Sequence, residues 1–306
     1  MKLCKLLLIA LTVAIIAPVS GFAQKQRSCS RDDLKRMVDL YIAAQTKGDT
    51  SGLPLVQGYL YMENMVNTDI NKGIVKKPLK IDFTRSIYDT ATCQTFTEVI
   101  VTNKAEPYVI GARLRVVLGK ISELETIWTT TGHWLFNADA YLKYSSAEKW
   151  DEIPAGKRDT RDTLLYAANS YLDAFLDGNP DIVPWGTPCV RIEGGAYTEP
   201  GGETPNSHCA ALPGDPTKIG MPAGVNIANR RFVVDESLGV VLVLCTFGAG
   251  TPVASGAPDS HLFRMENGKP RYVHTLTHMQ QSSFQGSGDA KPKGGGPGGG
   301  KPKAKP

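Results

Sequence analysis

The sequence predicts an α+β protein made of one unit used twice, each unit an N-terminal helix packed on a curved antiparallel sheet. An internal repeat and a switch of hydrophobic period inside each copy carry this expectation. Arg31-Asp32-Asp33-Leu34, continuing through Tyr41, Ala44 and Gly48, aligns at one offset with Arg161-Asp162-Thr163-Leu164, continuing through Tyr171, Ala174 and Gly178. The same offset carries Pro54 onto Pro184, Glu63 onto Glu193 and Thr68 onto Thr198. After an insertion in the second copy, Arg85 and Asp89 meet Arg231 and Asp235, and Arg115 and Gly119-Lys120 meet Arg264 and Gly268-Lys269. Shared order across so many positions reads as a tandem duplication of two domains rather than a solenoid.

Within each copy the helix comes first. Leu34, Met37, Val38, Tyr41 and Ile42 recur at helical spacing and Gly48 stops them; Leu164, Leu165, Ala168, Tyr171, Leu172 and Phe175 do the same before Gly178. Alternating, β-branched segments follow at 96–102, 108–118 and 121–130, and again at 231–235, 240–247, 260–265 and 271–278. A helix followed by a run of strands is an α+β plan. The expected domains are 24–146 and 161–281, joined by a linker at 147–160. The Gly- and Pro-rich stretch 193–225 reads as a long pinned loop or a lid, and 255–258 as a pocket rim.

Residues 1–23 have the form of a signal peptide: Lys2 and Lys5, an apolar run over 6–17, and Gly21-Phe22-Ala23 as a small-x-small site. The run is too short for a membrane span, so a secreted or periplasmic protein is expected. Five cysteines then remain. Cys189–Cys209 and Cys29–Cys93 are the expected disulfides, and Cys245, in an apolar strand, is expected to be a buried free thiol. The formal charge of +4 is a tail effect, since 282–306 holds five lysines and one acid, Asp289. Its last part, 291–306, holds the lysines alone, and without them the charge is +4 − 5 = −1. That removes a global electrostatic case for nucleic acid. The tail itself is expected to be disordered.

The strongest local signal is Asn267-Gly268, flanked by alternating residues. With a two-residue loop and a regular ladder, His261 faces His274, Phe263 faces Tyr272, and Asp259 faces Leu276. Asp259, His261, Phe263, Tyr272, His274 and His278 then share one face. A bulge shifts the register by one and separates the histidines. Histidine suits proton transfer near neutrality, and copy one has Ala112 and Glu125 where copy two has His261 and His274. The expected catalytic set is His261 and His274 as acid and base with Asp259 as orienter. Arg191, Glu193, Tyr197, Phe263 and Tyr272 are expected to bind substrate, and Tyr61, Glu63, Asn64 and His133 to line a second pocket in copy one. Residues common to both copies, Glu63/Glu193, Arg85/Arg231 and Asp89/Asp235, are expected to serve the fold as Arg–carboxylate links, with Arg85–Asp89 and Arg231–Asp235 each on one side of a strand.

No CxxC or HExxH spacing occurs, so no metal is expected. No G-x-S-x-G elbow, phosphate loop or dinucleotide fingerprint is present, so no cofactor is expected.

A leading helix followed by a bent sheet ending in a long hairpin resembles the nuclear-transport-factor-2-like superfamily, which includes ketosteroid isomerase, scytalone dehydratase and the SnoaL-like cyclases. PWGTPCVRIEGGAYT (184–198), NRRFVVDESLG (229–239) and PDSHLFRMENGKPRYVHT (258–275) are similar to secreted fungal and bacterial proteins with an uncharacterised domain of this kind. The resemblance spans most of 29–280. It implies cone-shaped domains whose interiors hold an apolar ligand, with acid–base residues on the walls. It also implies that the two copies pair through their sheets, as a pseudo-dimer within one chain. The expected function is a cofactor-independent lyase or isomerase for a small apolar or aromatic molecule. The alternatives are a non-catalytic carrier of a hydrophobic ligand, and a cell-envelope interaction protein that uses the lysine tail.

Overall fold

The computed structural model describes residues 29–212, 215–250 and 256–280. The expected signal peptide and lysine tail lie outside the described residues. The chain is a mixed α+β protein with two six-stranded sheets and few helices.

Helix α1 (Arg31–Lys47) and helix α3 (Arg161–Asp177) open the two halves with the same punctuation. Ser30 Oγ accepts from the Asp33 N–H at the first, and Thr160 Oγ1 accepts from the Thr163 N–H at the second. Gly48 and Gly178 end them in the left-handed region, at φ 65° and 64°. The first sheet contains β1 (Leu55–Glu63), β2 (Val66–Asn67), β3 (Phe83–Asp89), β4 (Gln94–Val101), β5 (Tyr108–Val117) and β6 (Lys120–Thr129), in the order β2-β1-β6-β5-β4-β3. The second contains β7 (Val190–Glu193), β8 (Ala196–Tyr197), β11 (Ile227–Asp235), β12 (Val240–Phe247), β13 (Ala257–Glu266) and β14 (Lys269–Thr277). Its order β11-β12-β13-β14-β7-β8 is the first sheet's order strand for strand. Between β8 and β11, the short strands β9 (Ala211–Leu212) and β10 (Asp215–Ile219) pair with each other.

The sheets are not purely antiparallel. β1 runs parallel to β6, and β7 parallel to β14. Both strands escape a period reading because β1 is broken by Gly58 at φ 73° and β7 has only four residues. Helix α2 (Ala138–Ala147) closes the first half and reaches the start of the expected linker. That linker is packed rather than loose: Trp150 stacks on Tyr272, and Arg264 Nη2 donates to the Asp151 carbonyl.

Four layers result, helix–sheet–sheet–helix. Alternation on β12 shows how, since Val241, Val243 and Cys245 join the core under α3 while Val240, Leu242 and Leu244 join the core between the sheets. A strand covered on both faces reads as one unbroken apolar run. Ile87, Phe96, Ile100, Val109 and Ile127 supply the first sheet's side of the shared core. Gly111 is needed there, because a Cβ would lie 2.6 Å from the Phe96 ring.

The repeated charges cross this seam. Arg31 Nη1 donates to both oxygens of Asp235 at 3.0 and 2.9 Å, and Arg161 makes a two-pronged pair with Asp89 at 3.0 and 2.8 Å. Each aspartate also accepts a backbone N–H from the opposite half, Asp235 from Tyr88 and Asp89 from Val234. The expected pairs Arg85–Asp89 and Arg231–Asp235 therefore do not form. Arg85 pairs with Glu98, and Arg231 with Glu125 of the other half. Sequence proximity suggested a partner within the strand, whereas the face-to-face sheets offer one across the seam.

Both expected disulfides are present, Cys29–Cys93 and Cys189–Cys209, and Cys245 is a buried free thiol. Among the described residues no helix is long and apolar enough to cross a membrane. The disulfides are consistent with an extracellular protein.

Candidate functional site

The Asn267-Gly268 turn has two residues, with φ 54° and 70°. Glu266 faces Lys269 and Met265 faces Pro270, as a two-residue loop requires. A bulge at Arg271 then moves the ladder by one, so that His261 faces Thr275, Leu262 faces His274, Phe263 faces Val273 and Asp259 faces Thr277. The first half bulges at the matching place, Ser122, between Val116↔Ile121 and Arg115↔Glu123. The expected His261–His274 pair is thus overturned: the two rings lie on opposite faces of the sheet.

His261 stays on the face under α3, and a cavity of about 570 Å³ opens there. The sheet supplies the polar floor: Asp259, His261, Thr275, Thr277, Arg191 and Glu193. Helix α3 supplies Tyr171 and Phe175, and the 199–225 segment supplies Leu212, Gly220, Met221 and Pro222. Trp134 and Leu135 reach in from the first half, and Phe247 and Met279 complete the walls. Most of this lining is apolar, as in small-molecule sites generally.

The floor is ordered by strand register. Cys245, Asp259 and Thr277 form one cross-strand row, and His261, Thr275 and Glu193 the next. Asp259, fully buried, accepts from Thr277 Oγ1 at 3.0 Å and lies 3.1 Å from His261 Nδ1. Nδ1 is thus occupied by its protein neighbours, while Nε2 has no hydrogen-bond partner among the described residues. Phe263 stacks beneath the ring at 5.9 Å and Tyr171 packs beside it at 5.8 Å. The Cys245 thiol approaches the same pair, 3.8 Å from Asp259 and 3.9 Å from His261. Burial and the nearby Asp259 carboxylate push its pKa up.

Arg191 is a buried cation at one end of the floor. Its guanidinium donates to Tyr171 Oη at 3.3 Å and pairs with Glu193 at 3.1 Å, while Nε has no partner. Burial works against its charge, but Tyr171 and Glu193 outweigh that and raise its pKa. Burial likewise lifts the Tyr171 phenol, only partly opposed by Arg191, so the hydroxyl stays a donor. Glu193 accepts from Trp134 Nε1 at 2.7 Å, tying the first half to the cavity wall.

Four expected site residues therefore line the cavity: Asp259, His261, Arg191 and Glu193. Phe263 supports the site from the core. Tyr197 stacks on Tyr144 at 4.0 Å and Tyr272 on Trp150, so both belong to the seam between the halves. His274 lies there too, with Nδ1 3.0 Å from Glu98 and Nε2 2.7 Å from Glu148. Burial lowers its pKa, but the two carboxylates overcome this and raise it to about 9. Burial would raise Glu98, yet His274, Arg85 and Tyr141 hold it down at about 2.

The expected second pocket is not built from its four residues. Tyr61 is buried against Gly73, where a Cβ would lie 2.2 Å from its hydroxyl, and it donates to Glu63. Asn64 accepts the Trp128 N–H, and His133 packs against His278 at 4.5 Å. Sequence reasoning missed Tyr171, Thr275, Trp134 and the nearness of Cys245 to Asp259. Only the register of β12 against β13 could have given the last.

Residues 157–277 match a family described as a domain of unknown function (DUF8021). No curated protein matches the chain in sequence. Among solved structures, AclR of Streptomyces galilaeus, described as a candidate hydroxylase, aligns at 14% identity over 47% of this chain and 94% of its own, with a TM-score of 0.25. Likeness at that level carries no argument about either protein's chemistry.

Proposed function

We propose that the second half is a cofactor-independent acid–base site for a small, largely apolar molecule bearing a carbonyl or related oxygen, acting as a lyase or isomerase. The carrying observation is the Asp259–His261 dyad on the floor of an apolar cavity, with one imidazole nitrogen uncommitted. His261 Nε2 takes a proton from a carbon next to the carbonyl, and the electron pair moves onto the oxygen. Arg191 and the Tyr171 hydroxyl receive that developing charge. The imidazolium then returns the proton to a different carbon in an isomerase. In a lyase the enolate expels a β-leaving group, which takes the proton. The acid expected of His274 thus passes to His261 itself.

The finer identity belongs to the same proposal. Each half is read as a nuclear-transport-factor-2-like cone, supported by the helix-on-sheet plan repeated with identical strand order. Export is supported by the composition of 1–23 and by the two disulfides. A carrier is the second reading, favoured by the apolar walls of Phe175, Phe247, Met221 and Met279.

The test is native mass spectrometry of the purified protein, identification of any retained small molecule, and incubation with that compound and its enolisable relatives. Conversion that disappears in His261→Asn while the compound still binds supports the enzyme. Retention without conversion at any pH selects the carrier. Absence of both retention and uptake overturns both readings.

A further inference from the structure

The Cys245, Asp259 and His261 side chains are a thiol, a carboxylate and an imidazole brought together by adjacent strands, all fully or nearly fully buried. Their nearest donor atoms stand 3.8 Å (Sγ to Oδ2), 3.9 Å (Sγ to Nδ1) and 3.1 Å (Oδ2 to Nδ1) apart. A tetrahedral zinc with ordinary bond lengths separates sulfur from nitrogen or oxygen by about 3.6 Å, and nitrogen from oxygen by about 3.3 Å. The three atoms thus already lie within a few tenths of an ångström of a zinc ligand triangle. We propose that Cys245 Sγ, Asp259 Oδ2 and His261 Nδ1 form a three-ligand site for a soft divalent cation, zinc by preference.

Three further features fit. Cys245 and Asp259 are direct cross-strand partners and His261 stands two residues along the same strand, so all three project to one face. Asp259 and His261 line the cavity, which gives the ion its way in and leaves an open side for water or ligand. The second oxygen of Asp259 is held by Thr277 Oγ1, the outer-shell support a ligating carboxylate usually has. Thiolate and carboxylate together neutralise a divalent ion, and a neutral complex suits a buried place. Binding there releases the thiol proton. It replaces the Asp259–His261 contact and puts the imidazole proton on Nε2, so that His261 presents a donor towards the cavity. Metal is therefore a switch-off for base chemistry at this site, and its binding does not depend on that chemistry being right.

The test is titration of the full-length protein with Co²⁺, read by absorption, with Zn²⁺ as competitor and isothermal calorimetry for stoichiometry. The expected result is one ion per chain, a thiolate-to-cobalt charge-transfer band, and displacement by Zn²⁺. Cys245→Ser, with its fold checked by circular dichroism, loses the band and binds at least tenfold more weakly; Asp259→Asn weakens binding while keeping the band. No saturable binding, or a band unchanged in Cys245→Ser, overturns the site. If Cys245→Ser fails to fold, blocking of Cys245 alkylation by Zn²⁺ in the wild-type protein, read by peptide mass mapping, decides. Unprotected labelling then overturns it. Failure here leaves the acid–base test untouched, because that test reads product.

Discussion

The two halves share helix, caps, strand order and hairpin bulge, yet one interior is filled and the other is open. In the first half Tyr61, Ile70, Ile74, Val75 and Leu79 pack beneath α1. The repeat places Arg191 where Tyr61 stands. The 199–225 segment, pinned by Cys189–Cys209, carries the second half's covering away to form a cavity wall. Positions kept alike hold the halves together, as the crossed Arg31–Asp235 and Arg161–Asp89 pairs do. In the cavity, Tyr171 and Glu193 are kept from the repeat, while Arg191 and His261 stand where the first half has Tyr61 and Ala112. One copy of the repeated unit packs its interior beneath its helix, and the other holds the cavity.

The two hairpin histidines break or sharpen that division most sharply. His261→Asn is expected to lower turnover of the identified substrate by about 10²–10⁴-fold, with an unchanged melting profile. His274→Gln is expected to leave turnover per folded molecule nearly intact while lowering the melting temperature. Equal loss of activity in both variants sinks the assignment of His274 to the seam.

Next in size come the crossed ion pairs. Asp89→Ala and Asp235→Ala each strand an arginine and a backbone N–H, and each is expected to cost about 3–5 kcal/mol in denaturant unfolding. Pseudo-symmetry demands similar values; one large and one negligible cost refutes the equivalence of the halves. Asp89 is held below its ordinary pKa: burial opposes this, but Arg161, the Val234 N–H and Thr92 prevail. Its share of stability is therefore present above the ordinary aspartate range and is lost as pH falls through the lowered value, an effect Asp89→Ala should remove.

His274 supplies an alkaline counterpart. Its pKa rises from 6.5 to about 9 on folding. The stabilisation is complete below pH 6.5 and is lost as pH climbs through about 9, on the order of a few kcal/mol. Urea midpoints across that window should fall in the wild-type protein and flatten in His274→Gln.

How much of this was legible beforehand divides along the same line. The repeat, the helices with their glycine stops, both disulfides, the buried Cys245 and the turn at Asn267-Gly268 are local or pairwise signals, and sequence carries those. The seam is not local. Nothing near Asp89 says that its partner is Arg161 rather than Arg85, because that choice depends on two sheets meeting face to face. The site was half legible. Asp259 and His261 lie two apart on one strand, so their shared face follows from period 2 alone. His274 depended on the register, and one extra residue at Arg271 turned it to the other side. Arg191 and Glu193 sit in a segment too short to read as a strand, and the parallel pairing with β14 is what delivers them to the floor.

The smallest effect is the most discriminating, because it compares one repeat position with itself. Tyr41 and Tyr171 occupy equivalent turns of α1 and α3, and both are fully buried. Tyr41 Oη donates to Gln45 Oε1, and Gln45 in turn donates to the Ile74 and Lys77 carbonyls that close the first interior. Tyr171 Oη accepts from Arg191 and faces the cavity. Tyr41→Phe is expected to cost about 1 kcal/mol of stability and to leave ligand retention unchanged. Tyr171→Phe is expected to weaken retention or turnover at comparable stability, because Tyr171 lines the cavity of the proposed site. If the two variants exchange these outcomes, the open interior is not where the ligand binds, and the filled half has the better claim.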